Sequence, residues 1–466
     1  MKRFWCLLLF SSCTLYQRYE RPEIVQDASW RTPLNADNSV DAGWWKQFQD
    51  PVLDAMIEQA LSHNQDLKAL IARVDAYDAQ LTIARSKLYP QVALDALAQR
   101  QKISDSVTAL PTGIQQIFNL FGAIFNASYL VDLWGEARSG AEVAYHQWLS
   151  SVEARRMGVL ALVSAVASSY IQMRQFDEQI RIAQETLGTR QESLYLAKVR
   201  FDLGLTSELQ VEQAIVEVES AQIELEFLQI KQAQSENLLS FLLGAAPADL
   251  PRGLALSQEF VPVAVPDVLP CELLTQRPDI RAVEEQLIAA NANIGVARAQ
   301  FFPKVNLTGA FGAESTQMNT LFHNVSKIWE VGSDVVQQVF TGFALSGNLE
   351  LARAQKEELL HRYFSTILNA YKEANNALTS HKIYLEEVKA EKARVDAQKQ
   401  YLLLSDLRYK EGETDYLTYL DAERQLFRGL LSYAEARANC LLSYIQIYQA
   451  FGGNWVLDAD AEAIQN

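Results

Sequence analysis

Alternating apolar and polar residues predict β-strands in two parts of the chain. After Pro303, the apolar residues Val305, Leu307 and Phe311 would share one face of a strand, and the polar residues between them the other. An earlier segment alternates in the same way, and its apolar positions are Phe125, Ala127, Tyr129, Val131 and Leu133. An apolar face toward lipid and a polar face toward a lumen are what a membrane barrel strand requires. A half-buried hairpin on a soluble sheet would show the same alternation, which by itself favours neither.

Two prolines mark where these strands begin. Pro90 and Pro303 each stop a predicted helix and open a strand, so each half of the chain would contribute one strand pair. Four strands per chain are too few to close a barrel, and open sheet edges are not tolerated in lipid. A membrane barrel would therefore need several copies of the chain.

Long proline-free stretches predict long helices. Residues 137–201 and 347–408 contain no proline, and at about 1.5 Å per residue each helix would span on the order of 95 Å. Four shorter helices are predicted at about 208–243, 415–451, 53–88 and 271–301. Two of them stacked end to end would match a long helix in length. We expect helix 208–243 to stack on helix 271–301, and helix 415–451 to stack on helix 53–88.

The helix predicted at 415–451 carries a heptad pattern. Its apolar positions step alternately by three and four, with the charged Arg424 as the one exception: Leu417, Leu420, Arg424, Phe427, Leu431, Ala434, Ala438, Leu441, Ile445 and Tyr448. This period of 3.5 predicts a left-handed coiled coil. A soluble structural coiled-coil protein would account for the helices but not for the alternating strands or the N-terminus described below.

The chain consists of two tandem copies of one unit of roughly 200 residues. Residues 66–96 align with 279–309 at a constant offset of 213. A second block aligns at an offset of 208 and pairs Arg200, Gly204, Thr206, Leu209, Ala214 and Gly244 with Arg408, Gly412, Thr414, Leu417, Ala422 and Gly452. Six of the 12 prolines fall in 247–278, which indicates a linker between the copies.

These signals predict a division of the chain into six segments. They are a signal peptide (1–12), a lipid-anchored extension (13–43), the first repeat (44–246), a proline-rich linker (247–270), the second repeat (271–453) and a C-terminal tail (454–466).

The N-terminus has the features of a bacterial secretory signal. A basic start is followed by an apolar stretch and by small residues just before Cys13. The segment Phe10–Cys13 looks like a lipobox, in which the Cys13 thiol would be acylated and residues 1–12 removed. An uncleaved anchor or an ordinary buried cysteine is the alternative. No later stretch reaches the roughly 18–20 continuous apolar residues that a membrane-spanning helix needs.

Composition excludes several other functions. The chain has 41 Lys and Arg against 57 Asp and Glu, a net charge of −16, which disfavours nucleic-acid binding. The four cysteines form no CxxC motif and no metal-ligand spacing, so we expect no metal site. The isolated histidines are His63, His146, His323, His361 and His381. Without a phosphate-binding loop or a nucleophile motif, we expect no enzyme activity and no cofactor beyond the covalent lipid on Cys13.

Three segments resemble a known family, the TolC/OprM-type outer membrane factors, and specifically their NodT-like, lipid-anchored efflux lipoproteins. Trp44–Pro51 is similar to their N-terminal signature, and Gln276–Arg281 with the later Phe301–Pro303 is similar to the opening of their second repeat. Gly412–Ala422 resembles the segment at their periplasmic tip. The resemblance covers about residues 22 to 453.

The resemblance implies a mainly helical homotrimer. Its four strands per chain would form a 12-stranded outer-membrane β-barrel, joined to a helical coiled-coil tunnel across the periplasm. It implies a passive exit duct for drugs or other small molecules, served by a periplasmic adaptor and an inner-membrane pump of the resistance-nodulation-division type. The lipobox favours this branch over a type I secretion duct. The adaptor lipoprotein of the same pumps is a further alternative, although it would carry a single helical hairpin and not two.

The closed end of the tunnel would lie at two helix reversals. Glycine accepts the left-handed conformation that ends a helix, so Gly204 and Gly412 suit the turns. Thr206 or Ser207 would cap the first return helix, and Thr414 or Asp415 the second.

By resemblance to the OprM-type tip, Leu417 and Asp421 would form an apolar constriction and a carboxylate ring in three copies. Tyr409 matches a tyrosine of the TolC-type gate network. Where that network has Arg and Asp, this chain has Thr414, Gln210 and Thr418, so interchain salt bridges are not expected to hold the gate. The alternative is that Leu417 only begins the coiled-coil seam and that Asp421 is a solvated helix position.

Overall fold

The computed structural model describes residues 18–23, 43–104, 117–256, 277–453 and 455–465. These residues form two compact units. The first contains Val74–Ser151 and Val283–Tyr363 together with the described N-terminal residues up to Glu23. The second contains described residues of Ile24–Arg73, Val152–Ala282 and Phe364–Asn466. Each unit therefore draws on both sequence repeats.

The described residues are mainly helical. The helices are α1 (Pro51–His63), α2 (Gln65–Ser86), α3 (Glu136–Asp202), α4 (Glu208–Leu242), α5 (Pro278–Ala299), α6 (Ala344–Lys410), α7 (Tyr416–Phe451) and α8 (Trp455–Gln465). The strands are β1 (Gln91–Lys102), β2 (Ile117–Val131), β3 (Lys304–Ser315) and β4 (Lys327–Val336). Short 3₁₀ turns lie at Trp44–Phe48, Met318–Thr320 and Asn324–Ser326. The predicted fold class, long helices with two strand pairs in tandem repeats, is confirmed.

The two long helices match their predictions closely. α3 and α6 each contain 67 residues, or about 100 Å of helix. Among the described residues, one helix, α3, includes a stretch long and apolar enough to cross a membrane, and 61% of that stretch is buried. Such burial is typical of a helix in a protein core.

The predicted stacking of the short helices is wrong in its choice of partners. In the second unit, Asn64 interrupts the predicted helix 53–88, and its Nδ2 donates to the Leu242 carbonyl at 2.9 Å. Arg277 Nη1 donates to the Ala450 carbonyl at 2.7 Å. The end of α4 therefore meets the start of α2, and the end of α7 meets the start of α5. Length matching could not select these partners because the candidate helices have similar lengths.

The two junctions are equivalent in the repeats. Asn64 and Arg277 are related by the offset of 213, and Leu242 and Ala450 by the offset of 208. Both donors satisfy a carbonyl in the last turn of a helix, where no intrahelical donor remains. The same junction is thus made by an amide in one repeat and by a guanidinium in the other.

The four strands form one antiparallel sheet in the order β1-β2-β3-β4, within the first unit. The register pairs Phe125 with Phe311 and Tyr129 with Leu307, so apolar residues line up on one face as predicted. On the opposite face, Asn126 donates to Asp95 and Asn306 to Asp334. The alternation inferred from the sequence therefore describes a real sheet, with one mainly apolar face and one face that carries these polar pairs together with Leu120, Ile124 and Leu130 of β2.

An aromatic cluster is central to the core of the second unit. Trp44 is fully buried, stacks on Tyr448 with ring centroids 5.2 Å apart, and contacts Trp455 at 6.1 Å. Trp455 belongs to α8, so the predicted C-terminal tail, 454–466, contains a helix that packs into this core. Large rings of this kind bury more apolar surface than other side chains.

A buried carboxylate holds the described part of the predicted linker. Asp50 caps α1 by accepting from the Val52 amide at 2.9 Å, and it also accepts from the Leu254 amide at 3.1 Å. The Tyr170 hydroxyl donates to the same carboxylate and accepts from the Gly253 amide. A Cβ at position 253 would overlap Asp50, so glycine is required there. The linker is therefore bound tightly as far as residue 254.

His381 makes the stability of the second unit depend on pH. It is fully buried on α6, with Nδ1 2.9 Å from the Ser443 hydroxyl, and its Nε2 has no hydrogen-bond partner among the described residues. Burial lowers the pKa of His381 below its ordinary value of 6.5. The unfolded chain then binds a proton more readily, so stability should fall as the pH drops below about 6.5.

We expect His381→Phe to reduce the loss of thermal stability between pH of about 7.5 and about 5.5, because the variant has no buried imidazole to protonate. Ser443 would still donate to the Cys440 carbonyl at 2.7 Å. Melting temperatures of the detergent-solubilised protein measure the effect. His361→Phe is the matched control, since His361 is exposed on the same helix. An unchanged pH dependence in His381→Phe would contradict the assignment.

Candidate functional site

The two predicted reversals connect α3 to α4 and α6 to α7. Gly204 and Gly412 have φ of +73° and +76°, the left-handed conformation that favours glycine. In each turn the residue after the glycine donates its amide five positions back, Leu205 to Arg200 and Glu413 to Arg408, both at 2.8 Å. The two hairpins therefore end in the same turn.

In each predicted pair the second residue lies at the N-cap position, and of these two residues Asp415 alone caps its helix with its side chain. Ser207 and Asp415 occupy the N-cap positions, and Thr206 and Thr414 lie one residue earlier. The Asp415 carboxylate accepts from the Thr418 amide at 3.0 Å and from its hydroxyl, and these hydrogen bonds lower the pKa of Asp415. The Thr206 hydroxyl donates to the Gln210 side chain. Thr418 and Gln210 thus form these hydrogen bonds with residues at the start of their own helices, α7 and α4.

Leu417 and Asp421 lie one turn apart on α7, and both are exposed in the single chain. Leu417 is 53% exposed, whereas Leu420 and Phe427 of the heptad seam are buried. Leu417 therefore differs from the seam residues that follow it. Asp421 Oδ2 accepts from the Gln425 side chain at 2.6 Å and, more weakly, from the Tyr401 hydroxyl at 3.4 Å. This pair is available to contact another molecule.

Tyr409 belongs to a separate aromatic group beside the turns. Its ring lies 5.5 Å from Tyr416 and 5.9 Å from Tyr419, and Arg200 lies 5.7 Å above it. Arg200 Nη1 donates to the Tyr409 hydroxyl at 3.3 Å, and Gln210 lines the same pocket. Burial raises the pKa of Tyr416 and of Tyr419, so both phenols stay neutral. The structure thus places Tyr409 and Gln210 in one pocket, and Leu417 and Asp421 do not line that pocket.

A buried ion network near these turns was missed by the sequence analysis. Arg190 on α3 and Glu217 on α4 have side chains only 3% and 6% exposed, and Arg190 Nη2 lies 3.1 Å from Glu217 Oε2. Arg424 on α7 donates to the same carboxylate. Glu423 Oε1 lies 3.5 Å from Arg190 Nε, and burial raises the pKa of Glu423. The only signal in the sequence was Arg424, the one charged position of the apolar seam.

Known proteins match nearly the whole chain. A family model described as "outer membrane efflux protein" matches twice, over residues 56–245 and 269–453. The probable efflux pump outer membrane protein TtgC of Pseudomonas putida is 34% identical over 456 residues, which cover 96% of this chain and 94% of TtgC.

Two solved structures are similar to almost the whole of this chain. The MtrE outer membrane channel of Neisseria gonorrhoeae, in its open state, superposes with a TM-score of 0.84 at 30% identity and covers 95% of this chain and 99% of its own. The CmeC outer membrane channel of Campylobacter jejuni has a TM-score of 0.89 at 24% identity, over 97% and 98% of the two chains, which shows a shared fold.

We expect Glu217→Ala to destabilise the protein by about 3–5 kcal/mol, because it leaves the buried guanidinium of Arg190 without its closest carboxylate and also removes the partner of the more exposed Arg424. Glu423→Gln should cost less, since Glu423 has the weaker ion pair and its charged form is already disfavoured by burial. Thermal and denaturant unfolding would measure both. Glu219→Ala, at an exposed position of the same helix, is the control. Equal effects of Glu217→Ala and Glu219→Ala would show that the network contributes little.

Proposed function

The chain belongs to the outer membrane efflux protein family, and we propose that three copies form the passive exit channel of a tripartite efflux pump in the outer membrane. The observation that supports this most strongly is the sheet. Its four strands have one mainly apolar face and one more polar face, and in the described residues its two outer strands are each paired on one side only. Three copies would supply twelve strands and could close a barrel with a polar lumen.

The long helices suit the rest of the channel. α3 and α6 follow directly from the strand pairs, and each would extend about 100 Å, so three chains would supply a wall of helices below the barrel. Transport through such a duct needs no catalytic group in this chain. Energy would come from an inner-membrane pump of the resistance-nodulation-division type, and a periplasmic adaptor would connect the two. The cargo would be drugs or other small molecules.

The lipid anchor is a separate part of the proposal. Cys13 lies outside the described residues, so its role rests on the lipobox-like sequence before it. A processed lipoprotein carries acyl chains on the thiol and on the new amine, and two or more chains are needed for stable membrane attachment.

Cys13→Ser should therefore abolish labelling by radioactive palmitate and reduce the amount of protein recovered in outer membranes. Cells expressing the wild type and the variant would be labelled in parallel, with Cys440→Ser as the control because the Cys440 thiol is buried. Label in Cys13→Ser, or none in the wild type, would refute the lipid anchor and leave the channel proposal intact.

We assign the resting gate to Leu417 and Asp421. Both are exposed in the single chain, and the leucine departs from the buried seam that it precedes. Around a threefold axis, three leucines would make an apolar constriction and three carboxylates a ring of like charges. The ring is repulsive, and a cation or an adaptor residue could relieve it. The contacts of the buried Glu217 with Arg190 and Arg424 lie within one chain and would hold the hairpins in place while the gate moves.

The double variant Leu417→Ala, Asp421→Ser should widen the resting pore, because it removes the constriction without altering a buried contact. Single-channel conductance in planar bilayers should rise, and cells should become more sensitive to vancomycin. Leu209→Ala with Glu212→Ser is the matched control, because Leu209 is the repeat equivalent of Leu417 and both control positions are exposed on α4. Wild-type conductance and vancomycin resistance in a normally assembled double variant would place the gate elsewhere. A protein that conducts no ions in any form would refute the channel itself.

A further inference from the structure

An aromatic contact joins neighbouring strands at the base of the sheet. Trp134 follows β2, and its ring stacks on Phe302, just before β3, with centroids 4.7 Å apart and planes 25° from parallel. The indole Nε1 donates to the Pro303 carbonyl at 2.8 Å. The residue that follows β2 is thereby fixed to the residues that precede β3.

The tandem repeat identifies the equivalent residues in the rest of the sheet. The strand register pairs Gln91 with Ser128 and Lys304 with Val336, which reproduces the offsets of 213 and 208 within the sheet. Phe302 and Pro303 therefore correspond to Tyr89 and Pro90, before β1. Trp134 and Gly135 correspond to Gly342 and Phe343, after β4.

These equivalents lie at the two opposite edges of the sheet and at the same end of the strands. They cannot meet within one chain in the way that Trp134 meets Phe302, because β1 and β4 are the outermost strands. Tyr89 is 67% exposed, compared with 36% for Phe302. Phe343 is 79% exposed and contacts Phe340, itself 82% exposed, with ring centroids 6.2 Å apart. Tyr89, the equivalent of Phe302, is thus uncovered at one edge, and at the other edge Gly342 replaces the tryptophan while the exposed ring of Phe343 lies one residue later.

The backbone at Phe343 is strained. Its φ is +68°, and its equivalent in the first repeat is Gly135 with φ +79°. The left-handed region suits glycine, and a bulky residue there is an outlier that the surrounding structure must compensate. Nothing in the turn itself requires a phenyl group, since glycine makes the same turn after β2. The turn therefore does not explain the phenyl ring at position 343.

We propose that Phe343 and Phe340 of one copy pack against Tyr89 of the next copy, and so repeat between chains the Trp134–Phe302 stack that exists within each chain. The inference rests on the assembly of several copies in the proposed function and names the residues that join them. β4 and β1 run in opposite directions, so β1 of a second copy can continue the sheet beside β4 as an antiparallel strand. In that arrangement the start of β1 with Tyr89 falls next to the end of β4 with Phe343.

Photo-crosslinking tests the contact directly. Phe343 would be replaced by p-benzoylphenylalanine in the full-length protein and irradiated in outer membranes. Crosslinked dimers and trimers on denaturing gels, with the adduct on the peptide that contains Tyr89, are expected. The same photoreactive residue at Phe322, an exposed position of the loop between β3 and β4, should not label that peptide. Adducts with lipid alone would show that these rings face the bilayer and would overturn the proposal.

A second measurement separates contact from strain. Phe343→Gly removes the ring and relieves the backbone, so without an interchain contact it would leave the oligomer as heat-resistant as the wild type or more so. We expect the opposite, a lower temperature for conversion of oligomer to monomer, and the same loss in Tyr89→Ala. Particle mass in mild detergent distinguishes a failure of this contact from a failure of the assembly. Three chains with unaltered heat resistance in both variants would refute this contact alone, whereas a monomeric wild type would refute the assembly as well.

Discussion

The unpaired edges of the four-stranded sheet are the constraint on which the rest of the protein depends. In the described residues β1 and β4 each pair on one side only, which leaves a row of backbone donors and acceptors at either edge. In lipid no water can satisfy these groups, so only a closed sheet is stable there. Copies of one chain can satisfy both edges at once because β1 and β4 run in opposite directions. In the proposed closed form, the apolar face would meet lipid and the aromatic residues beside the strand ends would meet those of the next copy.

The tandem repeat keeps backbone geometry and changes chemistry at equivalent positions. Asn64 and Arg277 both bind the carbonyl that ends a helix, but the guanidinium of Arg277 also reaches Asp279 and Glu373. The two turns share their glycine conformation, yet one presents Leu203 and Leu205 and the other Glu411 and Glu413. A closed assembly of such chains therefore has two different kinds of hairpin end. A partner can distinguish them by apolar contact at one and by charge at the other.

Charges near the hairpin ends are divided into two groups by burial. Arg190 and Glu217 are almost completely removed from solvent, where their attraction is strong but the cost of separating them is high. Asp421 remains in water, where its interactions are weaker and screened by salt. The buried group suits a permanent connection between helices of one chain. The exposed carboxylate suits contacts that form and break, as a gate requires.

The sequence by itself determined the elements and their repetition. Proline positions, the change from helical to alternating periodicity and the glycines at 204 and 412 depend on local backbone preferences, and the helices, the strands and the turns follow them. Only the tertiary structure decided which helix ends meet, since the similar lengths of the short helices could not select the partners of α4 and α7. It also decided that Glu217 joins Arg190 and Arg424. These residues are far apart in the chain, and burial of a charge is set by the packing around it and not by its neighbours in sequence.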